Sequence, residues 1–123
     1  MSGEQVRLTM PCTPRFARVA RTAAAACGVL EGFTVDELGD LRLLVDEVFI
    51  AMLELGVTAV ELVLTPRDGQ VVVLMTAAGE LGPPRGGADD TLARSLAAVV
   101  ASDVDFQLAA PRPTFAATLS AAG

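Results

Sequence analysis

The run TVDELGDLRLLVDEVFIAMLELG, Thr34 to Gly56, carries most of the architectural information in this chain. Thr34-Val35-Asp36-Glu37 has the form of a capping box: the N-cap hydroxyl takes the N–H of the third helical residue, and the glutamate reaches back to the N-cap N–H. The spacing predicts a helix from there to Leu55, stopped by Gly56. Leu38, Leu41, Val45, Val48, Met52 and Leu55 form its buried stripe. Asp40, Glu47 and Glu54 recur every seventh residue and stack along a second line, with Ala51 one turn beyond Glu47. Asp46 and Glu47 are no catalytic pair, because neighbours on a helix diverge by about 100°.

Downstream, Ala59 to Thr65 and Gln70 to Thr76 are Val/Leu-rich runs joined by Pro66-Arg67-Asp68-Gly69, whose Asp-Gly marks an antiparallel hairpin. A Gly/Pro loop from Gly79 to Gly87, with Arg85, leads to a helix expected over Asp89 to Ala101, with Leu92, Leu96, Val99 and Val100 inward. Two strands follow, Val104 to Leu108 and Thr114 to Ser120, separated by Pro111-Arg112-Pro113. Upstream, Gln5 to Met10 alternates as a half-buried strand, and Arg15 to Leu30 reads as a helix with Phe16, Val19, Ala20, Ala23, Cys27 and Leu30 on its core face. The order β-α-α-β-β-α-β-β predicts a single α+β domain over 1–123, a two-layer sandwich: a mostly antiparallel sheet of about five strands, one face covered by three helices.

Composition narrows the chemistry. The 123 residues include no His, and all nine basic residues are Arg. Ser–His and Cys–His pairs, His-containing zinc sites, lysine Schiff bases and a Walker lysine are therefore excluded. The formal net charge of −6 would repel DNA, so nucleic acid is not an expected ligand. The longest apolar region, around Leu41 to Leu64, is interrupted by Arg42, Asp46, Glu47, Glu54 and Glu61, so no membrane span is expected. Two thiols, Cys12 and Cys27, in a chain without a secretory pattern point to a reduced, cytoplasmic setting.

Each candidate site has a plain alternative. Glu47 projects from a long helix and suits a general base, or is one of a solvated stripe. The Gly79 to Gly87 loop could cradle phosphate through backbone N–H groups, but Pro83 and Pro84 remove two donors. Asp89 and Asp90 suit a cation or the positive end of the following helix. Asp103 and Asp105 would share one strand face, exposed to solvent. Arg15, Arg18 and Arg21 cover an arc of roughly 120° and could clamp acidic groups of a partner, or simply solubilise the helix. Cys12 and Cys27 are expected as buried small hydrophobes.

The segment Asp40-Leu41-Arg42-Leu43-Leu44-Val45-Asp46-Glu47-Val48 resembles the N-box helix of the bacterial anti-sigma factors that are also serine-protein kinases, a branch of the GHKL (Bergerat-fold) ATPases. That family carries a stretch of the type D-L-x-L-A-V-x-E-A-x-x-N-A-I-E-H there, and its order of elements is similar over roughly Gln5 to Ala121. By this resemblance Glu47 aligns with the base that activates the attacking hydroxyl, and Glu54 with the second acid. The chain departs from the pattern at three places. Ala51 stands where an Asn would hold Mg²⁺ and phosphate. Ala77-Ala78-Gly79-Glu80-Leu81 stands for D-x-G-x-G, with Ala77 in place of the Asp that receives the adenine amino group and Gly79 as the remaining glycine of the box. Thr91-Leu92-Ala93-Arg94 replaces the glycine-rich start of the last helix.

Charge-assisted contacts of the lost kind are worth about 1.5–3 kcal/mol apiece. The resemblance therefore implies an anti-sigma factor whose nucleotide site has degenerated, with no cofactor, no metal and no kinase activity. It also implies a sigma factor as partner, release by a STAS-type anti-anti-sigma protein, capture through Arg15, Arg18 and Arg21, and homodimerisation through the first strand and helix. Two alternatives stay open: an active serine-protein kinase with a divergent ATP pocket, and a non-catalytic dimerisation or scaffold domain.

Overall fold

A computed structural model describes residues 4–84 and 91–122. Five strands, β1 (Val6–Pro11), β2 (Val57–Arg67), β3 (Gln70–Leu81), β4 (Asp103–Gln107) and β5 (Thr114–Ser120), form one sheet in the order β1-β2-β3-β5-β4. Every neighbouring pair is antiparallel. Three helices, α1 (Ala17–Leu30), α2 (Val35–Glu54) and α3 (Thr91–Val100), complete the α+β fold. No helix among the described residues is long and apolar enough to cross a membrane.

The capping box of α2 is formed as its sequence dictates: Glu37 N–H donates to Thr34 Oγ1 at 3.2 Å, and Thr34 N–H donates to Glu37 Oε1 at 2.7 Å. Asp68 (φ 52°) and Gly69 (φ 74°) close the β2–β3 hairpin with two left-handed residues, the signature of a type I′ turn. The hairpin is longer than its apolar runs suggest, because pairing extends from Val57↔Leu81 to Arg67↔Gln70 and takes in Pro66 and the first residues of the Gly/Pro loop. Backbone ladder bonds propagate where side-chain pattern gives no signal. Arg85, Gly87, Asp89 and Asp90 lie outside the described residues.

One apolar core lies between sheet and helices. Val60, Leu62 and Leu64 of β2, Val71, Val73 and Met75 of β3, and Phe115 and Leu119 of β5 point into it, against Leu41, Leu44, Val48, Phe49 and Met52 of α2. Helix α2 buries a wider arc than its predicted stripe, adding Leu44, Phe49 and Ala51, because α1 and α3 both pack against it.

The flanking helices correct the sequence reading more sharply. α1 begins at Ala17 after a 3-10 turn over Pro14–Phe16, and it buries Ala17, Ala20, Ala24, Ala25, Cys27 and Gly28. Val19 and Leu30, expected in the core, are exposed. α3 buries Ala93 and Ala97 and leaves Leu92 and Val99 in solvent. Small residues let these helices approach α2 closely: a Cβ on Gly28 would lie 2.7 Å from Leu38 Cδ2. The buried face is then set by the close approach of backbones, and large aliphatic side chains are pushed to the outer side.

Candidate functional site

Glu47 lies half-buried on α2, in the line predicted for it, while Ala51 one turn on is buried in the core cluster that also contains Ala93 and Ala97 of α3. Ala77 is likewise buried, near the end of β3, where its N–H donates to the Pro113 carbonyl at 2.9 Å. Neither alanine offers a side-chain oxygen to a metal ion or a base.

Two cavities flank this end of the sheet. The larger, about 440 Å³, is lined by Ala77, Gly79, Glu80, Leu81, Pro111 and Arg112, so the predicted Ala77–Leu81 box does border a cavity, with Arg112 from the β4–β5 connection beside it. Gly79 adopts φ 77° there, a conformation that favours glycine. The second, about 330 Å³, lies between Cys12, Thr13, Gly56, Thr58, Gly82 and Pro83. Thr13 Oγ1 is buried beside it with no hydrogen-bond partner among the described residues. Neither cavity, as described, is lined by Glu47 or Ala51.

The replaced glycine-rich start of the last helix is built for packing. Arg94 stacks its guanidinium over the Phe106 ring, 4.5 Å from the centroid, and Phe106 contacts Phe115 at 4.9 Å between centroids. This chain of contacts ties α3 to β4 and β5.

The three arginines do not form one uniform surface. Arg21 Nη1 donates to Asp46 Oδ1 at 3.0 Å, clasping α1 to α2 with both side chains about two-thirds covered. Arg15 falls in the 3-10 turn, its guanidinium 5.6 Å from the centre of the Phe16 ring. Arg18 is exposed on the first turns of α1. Arg15 and Arg18 are available to a partner, and Arg21 is committed to the helical layer. Sequence spacing placed the three on one arc; only the packing of α2 against α1 reveals Asp46 as the ligand of one of them.

Both cysteines are buried. Burial, with the Glu31 carboxylate nearby, pushes the Cys27 thiol above its ordinary value, so the thiolate is disfavoured at neutral pH. Asp103 and Asp105 are exposed and share the sheet face turned away from the helices. Among the described residues no group of three or more His, Cys, Asp or Glu could hold a metal ion. The chain matches no protein-family model and no curated protein.

Proposed function

We propose that this chain is a non-catalytic anti-sigma factor, or a close regulator of that kind, acting in the cytoplasm. It binds a sigma factor of RNA polymerase and is countered by a STAS-type anti-anti-sigma protein. The reading rests on the resemblance of Asp40–Val48, and one structural observation supports its non-catalytic form: Ala51 and Ala77 are 3% and 4% exposed, packed into the protein at the two positions where the resemblance requires an Asn and an Asp. A buried methyl group can neither ligate Mg²⁺ nor accept from adenine. Glu47, without a nucleotide held beside it, has no phosphoryl group to act on.

Arg15 and Arg18 are the surface assigned to the sigma factor, as bidentate guanidinium donors to partner carboxylates. Co-purification with mass spectrometry is the primary test, and a sigma subunit is the expected co-purifying protein. The double reversal Arg15→Glu/Arg18→Glu should abolish that capture with the melting temperature unchanged; undiminished capture would remove the interface assignment. Calorimetric titration with Mg-ATP should show no binding, whereas micromolar affinity would make the chain a kinase with a divergent pocket.

A further inference from the structure

The outer surface of the helical layer carries large aliphatic side chains that the core does not use. Leu43 and Ile50 of α2 are 50% and 38% exposed, and Leu92 and Val99 of α3 are 61% and 84% exposed. In each helix the two residues are seven apart, so they lie on one side, about 10.5 Å from each other along the axis. Arg94 of α3 reaches over Phe106 of β4, and Leu92 and Val99 stand roughly opposite it on the helix, away from the sheet.

Carboxylates accompany the α2 row. Asp46, bonded to Arg21, marks the side of α2 that meets α1. Asp40, Glu47 and Glu54, exposed or half-buried, lie about 100° further round, at the other margin of the outer face. Helix α3 packs against α2 and makes no comparable contact with α1, so this is the margin it borders. Two ion pairs form among the described residues, Arg7–Glu61 and Arg21–Asp46, and neither engages the acid line. Arg42, the one cation of α2, sits on the α1 side.

We propose that the outer surface of α2 and α3 is a docking site for a partner protein that presents a basic amphipathic helix. The apolar side of that helix packs on Leu43, Ile50, Leu92 and Val99, and its Arg or Lys residues meet Asp40, Glu47 and Glu54. Spacing selects a helix over an extended segment. The three carboxylates recur about every 10.5 Å, the distance a second helix covers in seven residues, so one of its faces can offer a cation to each. In a strand, same-face residues fall at multiples of about 6.6 Å and miss that repeat.

Charge selects the sign of the partner. The acid line and the net charge of −6 attract a basic helix and repel an acidic one. A second copy of this chain does not fit, because none of its described helices carries cations seven residues apart, and α2 against α2 would set acids against acids. The surface uses neither Arg15 nor Arg18, so it stands or falls independently of the sigma-factor reading.

Fluorescence anisotropy with a labelled helical peptide of about three heptads, Leu at the first and fourth positions and Arg at the fifth, tests the surface. Binding is expected with a dissociation constant on the order of 10 μM, weakening at least about fivefold between roughly 50 and 500 mM NaCl. The same peptide with Glu for Arg, and one of scrambled order, should each bind at least about tenfold more weakly. Glu47→Arg/Glu54→Arg should weaken the basic peptide at least about 30-fold and bring the acidic one to within about threefold of the original pair. Ile50→Asp and Leu92→Asp should each cost about tenfold. These side chains are exposed or half-buried, and circular dichroism checks that the variants fold. Arg15→Ala/Arg18→Ala should leave peptide binding unchanged, which separates this site from the surface assigned to the sigma factor. Amide shift changes on binding should fall within residues 36–54 and 91–100. No binding up to about 200 μM would overturn the proposal. So would equal binding of the scrambled peptide, indifference to the charge reversal, or shift changes centred on Glu61, Asp103 and Asp105 of the sheet.

Discussion

The two ends of the β2–β3 hairpin are built on opposite principles. At the turn end, two side-chain carboxylates take backbone donors, Glu31 Oε1 from Gly69 N–H at 2.8 Å and Glu37 Oε2 from Ala122 N–H at 2.6 Å, and Ala121 N–H donates to the Gly69 carbonyl at 2.8 Å. At the other end no carboxylate takes part, and the acceptors are backbone carbonyls. Gly82 N–H donates to the Gly56 carbonyl at 2.7 Å, Thr58 Oγ1 donates to the Glu80 carbonyl at 2.9 Å, and two cavities open alongside. The turn end is tied by groups that can be replaced one at a time. The cavity end depends on an absent side chain.

Two glycines make that difference measurable. Gly56 (φ 88°) and Gly69 (φ 74°) both occupy the left-handed region, yet a Cβ on Gly56 would sit 2.3 Å from the Gly82 carbonyl oxygen, whereas one on Gly69 would meet nothing within 4 Å. Gly56→Ala should therefore cost about 3 kcal/mol or more in urea denaturation, strain and clash together, while Gly69→Ala should cost only the strain of about 1–2 kcal/mol. Equal losses would mean that the 82–84 segment yields easily and the cavity end is soft.

At the turn end the expected effects are smaller. Glu31→Ala removes the acceptor of the Gly69 N–H and should destabilise by about 1 kcal/mol, with Glu31→Gln recovering most of it because the amide oxygen still accepts. Glu37 sharpens the comparison through pH. Hydrogen bonds from the Thr34 and Ala122 backbone N–H groups, and then from the Thr34 hydroxyl, hold its carboxyl below the ordinary value. A depressed native pKa contributes stability above the unfolded value and loses it as pH falls through the native one. The melting temperature of the wild type should thus exceed that of Glu37→Gln near neutrality and converge with it in acid. A constant gap at every pH would show that the tie does not depend on ionisation.

Legibility in the sequence followed the range of the interactions involved. The capping box of Thr34 and Glu37, the Asp68-Gly69 turn and the strand Thr114–Ser120 were readable because their determinants lie within a few residues. The core faces of α1 and α3 were not. Hydrophobic periodicity ranks Val19, Leu30, Leu92 and Val99 above alanine, but a helix wedged against α2 buries what is small enough to let it approach. The same limit applied to the candidate site. Spacing put Glu47 and Ala51 on one line and left them apparently alike, yet Ala51 is buried in the core cluster and Glu47 is half-exposed.

By itself the sequence determined the chemistry this protein can command. It has carboxylates and guanidiniums, no imidazole and no amine side chain, and local signals for eight of the elements in their order. Only the tertiary structure decided how those groups are used. It committed Arg21 to Asp46, left Arg15 and Arg18 outward, buried residue 51 in the core and residue 77 at the edge of a cavity, and laid Arg7 and Asp105 at opposite edges of one open face. Residue type fixes what a side chain can bond to, but its partners come from strand register and helix approach, which join positions far apart in the chain.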